Sequence, residues 1–182
     1  QSLLAARPDD GIIGEEGATV QGRSGITWVI DPLDGTVNYF YGLPGWNVSI
    51  AAKDKNGVIV GVVTAPSINS TWWATLGGGA FYNAHAIHCN EPIELDRALI
   101  ATGFQYDVAH RTTQMTDLAK LVPLARDIRR NGAAAVDLCH VAMGALDGYY
   151  EAGLKEWDWA AGLVTGEGHP LINSMWGAYL DH

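Results

Sequence analysis

Two aspartates set three apart, Asp31 and Asp34, sit in the string Trp28-Val29-Ile30-Asp31-Pro32-Leu33-Asp34-Gly35-Thr36-Val37-Asn38. An apolar, β-branched run from Ile26 to Ile30 delivers them into a turn punctuated by Pro32 and Gly35, and a hydroxyl and an amide follow at Thr36 and Asn38. A carboxylate released at the end of an apolar strand stands where its charge calls for a counter-cation. Carboxylate and carbonyl oxygens are hard ligands, the type that Mg²⁺ takes in near-octahedral geometry. Singly, the acids of this chain have plainer readings. Glu15-Glu16 alone is a solvated loop, Asp34-Gly35 alone a turn, and Asp158 alone a helix N-cap. The strand-borne Asp31 and the full string around it tip the balance toward a cation site.

The elements that must hold this string are short. Residues 1–8 read as the tail of a helix ended by Pro8-Asp9-Asp10-Gly11, and Ile12-Ile13 leads into Glu15-Glu16. Val48 to Lys53 and Val58 to Ala65 read as strands around a Lys53-Asp54-Lys55-Asn56-Gly57 turn. Thr71 to Thr75 and Ala98 to Thr102 read as further strands. Helical periodicity marks Thr112 to Leu124 and Ala133 to Leu146. Tyr149-Tyr150-Glu151 is a short strand, and Trp157-Asp158 opens a third helix with Asp158 as its N-cap. Strands and helices mix without regular βαβ alternation, which predicts a layered α+β architecture rather than a doubly wound sheet. The boundary falls near Asn90-Glu91-Pro92. It divides a half over 1–92, carrying Glu15, Asp31 and Asp34, from a half over 93–182, carrying Glu151 and Asp158.

Composition narrows the partners. A chain of 182 residues that is 48% hydrophobic and 17% charged can build a sizeable core. A net charge of −9 argues against nucleic acid as a partner. An acidic protein acting on an anion needs metals or local amides to offset repulsion. No apolar run reaches the ~18 residues of a membrane span, so no membrane partner is expected. Two cysteines, Cys89 and Cys139, form no pattern, which fits a reducing, cytoplasmic compartment. His85, His88 and Cys89 match no complete zinc spacing. Trp72-Trp73 puts one indole on each face of a strand, and Cys139-His140 lies on a core helix. Arg129-Arg130 reads as a phosphate-steering pair or, at least as well, as a solvated pair at a helix start, and Asp137 as a surface or interface acid ahead of a substrate contact.

Three ordered motifs then carry a resemblance: Gly14-Glu15-Glu16, the Trp28 to Asn38 string, and Glu156-Trp157-Asp158-Trp159-Ala160-Ala161-Gly162. Together they resemble the inositol monophosphatase family, Mg²⁺-dependent and typically lithium-sensitive phosphatases. Gly79-Ala80-Phe81-Tyr82-Asn83, Arg129-Arg130-Asn131-Gly132-Ala133-Ala134-Ala135 and Asp147-Gly148-Tyr149-Tyr150-Glu151 fit as well, so the likeness runs from about Ile12 to about Val164.

The resemblance implies a layered α-β-α-β-α sandwich, a homodimer, and two or three Mg²⁺ ions. It implies metal ligation by Glu15, Asp31, Asp34, the Leu33 carbonyl and Asp158. It implies that Thr36, with Asp31 and Glu15, orients an attacking water. It places Asp34, Gly35, Thr36, Gly132, Ala133, Ala134, Glu151 and Asp158 against the substrate, Glu151 accepting a hydrogen bond from a substrate hydroxyl. The expected substrate is a small polyol phosphate, first of all inositol monophosphate. Histidinol phosphate, fructose 1,6-bisphosphate and a 3′-phosphonucleotide are alternatives of the same class. A non-catalytic regulatory or binding module on the same fold is the alternative of another class. Departures are local. Ala133 stands where the family has a small hydroxyl residue, and Ala84 where it has Gly. The family's N-terminal helices, a lysine-bearing loop and the aspartate that partners Thr36 are expected to be missing here. The stretch from Leu163 to Pro170 does not continue the family's strand pattern smoothly.

Overall fold

The computed structural model describes residues 2–17 and 19–165, so of the stretch from Leu163 to Pro170 the part from Gly166 onward lies outside the described residues. In chain order the elements are α1 (Ser2–Ala6), β1 (Gly11–Gly14), β2 (Thr19–Val20), β3 (Thr27–Asp34), α2 (Thr36–Phe40), β4 (Asn47–Asp54), β5 (Gly57–Ala65), β6 (Ser70–Thr75), β7 (Gly79–Tyr82) and β8 (His85–Ile87). Then follow β9 (Leu99–Thr102), α3 (Val108–Leu121), β10 (Asp127–Arg129), α4 (Ala134–Ala142), β11 (Gly148–Tyr150) and α5 (Glu156–Thr165).

Strands β2-β1-β3-β4-β5-β6-β7-β8 form one sheet in that order, and β10-β9-β11 form a second. The first is antiparallel except where β1 lies parallel to β3, whereas both pairs of the second are parallel. Helix α5 lies across β3 to β6 and packs on α4. Alternation along the second sheet separates its two faces. Leu99, Ala101 and Tyr149 cluster with Val141 of α4 and Leu163 of α5, while Ala98, Ile100 and Tyr150 line a groove with Leu121 and Leu124. The layers therefore run sheet, helix pair, sheet, helix. This is the layered α+β fold expected, with four of the five layers among the described residues.

The core sits where α4 and α5 meet the first sheet. Val29, Ala51, Val63 and Trp72 from the strands pack on Ala135, Val136, Cys139, Ala160 and Ala161 from the helices. The indole N–H of Trp72 donates to the Met143 sulfur at 3.2 Å. Trp73 points the other way and stacks on Phe81 at 4.2 Å between ring centroids. Small residues set the spacing. A Cβ at Gly61 of β5 would lie 2.6 Å from the Ala161 carbonyl oxygen, so α5 rests directly on strand backbone.

Several boundaries differ from the sequence reading. Strand β3 does not stop at Ile30 but runs through Asp34. Pro32 lacks a ladder donor, and it is tolerated because β3 bulges between Asp31 and Asp34. Helix α3 starts at Val108 rather than Thr112, because the Asp107 carboxylate accepts the His110 amide at 3.0 Å as N-cap. It ends at Leu121, just ahead of Pro123. Helix α4 ends at Ala142 rather than Leu146, with Gly144 at φ 74° turning the chain away. Asp158 is not the N-cap of α5. It lies inside the first turn and reaches back to accept the Lys155 amide at 2.6 Å, the returning arm of a capping box.

Candidate active site

The parallel register of β1 and β3 pairs Gly14 with Ile30, so Glu15 and Asp31 leave neighbouring strands side by side at the same end. The Glu15 amide still donates to the Ile30 carbonyl at 3.3 Å. Side chains alternate along a strand, so residues three apart would face opposite ways. The bulge adds the residue that restores parity: Asp31 pairs with Ser49 and Asp34 with Asn47. Both aspartates thereby face the same cleft. Gly35 then turns the chain at φ 78°, a conformation few other residues adopt, and Thr36 begins α2. Asp158 arrives on α5 from the far end of the chain.

All eleven residues singled out from the sequence line one cleft of about 210 Å³: Glu15, Asp31, Leu33, Asp34, Gly35, Thr36, Gly132, Ala133, Ala134, Glu151 and Asp158. One Asp31 oxygen accepts the Leu33 amide at 2.8 Å. Oδ2 of Asp34 accepts from the Asn47 side chain at 2.8 Å and from the Ala135 amide at 2.9 Å. The Thr36 hydroxyl donates to the Leu33 carbonyl at 3.0 Å. Asn38 ties the two halves of the cleft together, its amide donating to the carbonyls of Asn131 at 2.8 Å and Pro44 at 3.0 Å. The Tyr149 hydroxyl donates to Oε2 of Glu151.

Electrostatics mark the cleft as over-supplied with negative charge. Burial, with Asp34 and Glu15 nearby, pushes the Asp31 carboxyl up to about 8. Burial raises Asp34 too, against the pull of its Asn47 and Ala135 bonds. Asp158 is pushed up to about 6, again chiefly by burial, and Glu151 is raised for the same reason. Among the described residues no three His, Cys, Asp or Glu side chains are already gathered as a cage around one point. The donors nonetheless fit a hard divalent cation. They are carboxylate and carbonyl oxygens, they share one cleft, and their crowding is the strain such a cation relieves. The buried Asn47 Oδ1, next to the atom that bonds Asp34, accepts no hydrogen bond among the described residues.

Further residues line the cleft, two of them given plainer readings from the sequence. Arg130 is no bystander: it lines the cleft, and a Cβ at Gly132 would lie 2.7 Å from its Nη1. Its neighbour Arg129 pairs outward with Asp127 at 2.6 Å. Asp137 is not a surface acid. It is 1% exposed, accepts the Asn131 side chain at 2.6 Å, and is pushed up to about 7 by burial. Gly103, Gln105, Tyr106, Tyr149 and Lys155 are also among the lining residues. The spacing of Asp137, one turn into the helix that starts beside Gly132, was the available signal. His85 is exposed and stands apart on β8.

Residues 1–166 match the family model for the inositol monophosphatase family. Inositol-1-monophosphatase SuhB of Mycobacterium tuberculosis is 44% identical over 171 residues, covering 89% of this chain and 59% of that protein. Nus factor SuhB of Escherichia coli is 39% identical over 181 residues, covering 98% of this chain and 68% of that protein. The solved inositol monophosphatase from Anabaena superposes with a TM-score of 0.85 at 34% identity, over 90% of this chain and 66% of that one. The chain thus spans about three fifths of the length of the mycobacterial relatives it matches.

Proposed function

Because the chain belongs to the inositol monophosphatase family, we propose that its cleft is the site of a Mg²⁺-dependent phosphomonoesterase acting on a small polyol phosphate, inositol monophosphate foremost. The observation that carries this reading is the gathering of Glu15, Asp31, Asp34 and Asp158, from three separate elements, into one cleft. In this reading Glu15, Asp31, the Leu33 carbonyl, Asp34 and Asp158 hold two or three Mg²⁺ ions. Such ions would neutralise phosphate charge and stabilise the leaving alkoxide. The amides of Gly35 and Thr36 approach the phosphate, which the side-chain-free Gly35 permits. Thr36, with Glu15 and Asp31, orients the attacking water. The start of α4, at Gly132, Ala133 and Ala134, presents backbone amides to the alcohol portion. Glu151 accepts a hydrogen bond from one of its hydroxyls. The name inositol-1-monophosphatase on relatives at 44% identity supports inositol phosphate over the bisphosphate, histidinol phosphate and nucleotide alternatives. A cytoplasmic homodimer belongs to the same proposal. No described helix is long and apolar enough to cross a membrane.

The test is phosphate release from inositol 1-phosphate with and without Mg²⁺, on the full-length protein and on Asp158→Asn. Loss of turnover in both cases is expected. Activity that survives EDTA and the substitution would sink the proposal. A second reading, a regulatory module without turnover, draws on the name Nus factor SuhB and on the hydroxyl missing at Ala133. Mg²⁺ titration separates them: a regulatory relic binds the ion poorly, or binds it without turnover.

A further inference from the structure

Glu151 follows β11 and Gly103 follows β9, and these parallel strands are in register, with Tyr150 opposite Thr102. The Thr102 hydroxyl locks that register by donating to the Tyr150 carbonyl at 2.6 Å. Gly103 and Glu151 therefore emerge as the next neighbouring pair, both in the cleft wall. A Cβ at residue 103 would overlap Oε2, Cδ and Oε1 of Glu151. The carboxylate thus occupies the space where a side chain at 103 would be. Gly103 is not among the glycines with positive φ, so it is needed here for room rather than for backbone geometry. Glu151 continues the line of β11 two residues beyond Tyr149, and the Tyr149 hydroxyl holds its Oε2. That bond leaves Oε1 as the oxygen to meet a donor from the cleft.

We propose that Tyr149 and Gly103 are positioning residues that fix the Glu151 carboxylate in one pose, and that this pose gives the site its preference for phosphate esters of polyols. The proposal rests on the phosphatase reading above and adds the source of its substrate selectivity. Freed of its tyrosine, or displaced by a methyl group at 103, the carboxylate swings away from the ring hydroxyl. The ester still reaches the metal-ligand end of the cleft, so the loss falls on binding of the alcohol rather than on bond cleavage.

The test compares kcat/KM for inositol 1-phosphate with that for p-nitrophenyl phosphate, which has no hydroxyl to offer, using the full-length Mg²⁺-loaded protein. Tyr149→Phe is expected to lower that ratio about tenfold, mostly through KM, as befits one hydrogen bond to a charged group. Gly103→Ala, an independent route to the same displacement, should lower it likewise. On a Glu151→Gln background, Tyr149→Phe should change the ratio no further. An unchanged ratio in both single variants, an equal fall on both esters, or a full-sized effect persisting without Glu151 would overturn the inference. If the unaltered protein showed no preference for the polyol ester, the substrate reading itself would fail and this inference with it. A preference that both variants keep would remove the inference alone.

Discussion

The backbone amide of Ala135 donates to the Asp34 carboxylate at 2.9 Å, joining residues 101 apart in the chain. Helix α4 starts after Ala133, which offers no side-chain cap. Asp34, from β3, takes that place. One carboxylate therefore serves both the proposed metal site and a helix terminus, where negative charge is favoured.

Asp34→Asn separates the two duties. An amide oxygen still accepts from Ala135, while a buried charge is removed. Without metal, the variant is expected to melt at or above the temperature of the unaltered protein. Its Mg²⁺ affinity should fall by at least about tenfold. Calorimetric titration and a thermal melt check the two halves, and a variant that is both less stable and unchanged in Mg²⁺ affinity contradicts this account.

Supplying the missing cap locally should stabilise the protein. The Ala133 backbone is extended, at φ −147° and ψ 109°, as an N-cap requires. Ala133→Ser is expected to add about 1 kcal/mol. Urea unfolding reads this directly, and no gain would mean that Asp34 already saturates the helix end.

Proton release should accompany Mg²⁺ binding. Asp31, pushed up to about 8, is mostly protonated at pH 7, whereas a ligand to Mg²⁺ must be ionised. Titration in buffers of different ionisation enthalpy should show about one proton released at pH 7, and less as the pH passes 8. Absence of buffer dependence at pH 7 would rule this out.

Asp137 gives a stability signature of opposite sense to the usual carboxylate. Its folded pKa of about 7 lies above the ordinary 3.8, so between those values the native state keeps a proton that the unfolded chain has lost. Its contribution to stability therefore declines as pH rises through that window, and the penalty is complete above about 7. Asp34, Glu151 and Arg130 are the charged groups that act on it. Asp137→Asn should flatten the fall in urea midpoint between pH 5 and pH 8. Parallel curves for the two proteins would refute the assignment.

Much of this arrangement was legible before the fold was known, because it is written in local chemistry. The β4–β5 hairpin announced itself through its Asn56-Gly57 turn, and each strand run was apolar and β-branched. The bulge in β3 was not legible: Pro32 reads equally well as a strand stop. Asp107 was missed as a cap because Val108 to Arg111 lacks the apolar spacing that reveals a buried helix face. The burial of Asp137 depends on what packs over α4, which no local pattern encodes. Arg130 and its neighbour Arg129 look alike as a pair, and only the geometry of the turn sends one inward and the other outward.

The parallel pairing of β1 with β3 acts as a vernier for the site. Sliding one strand by a single residue would carry Glu15 about 3.3 Å along the sheet and turn it to the opposite face. Every acid would still be present, yet the pair at the strand ends would be gone. Insertions or deletions between Gly14 and Thr27 are thus tolerable only if they leave that alignment untouched. The length of an otherwise unremarked β2 excursion becomes as consequential as the identity of the proposed ligands.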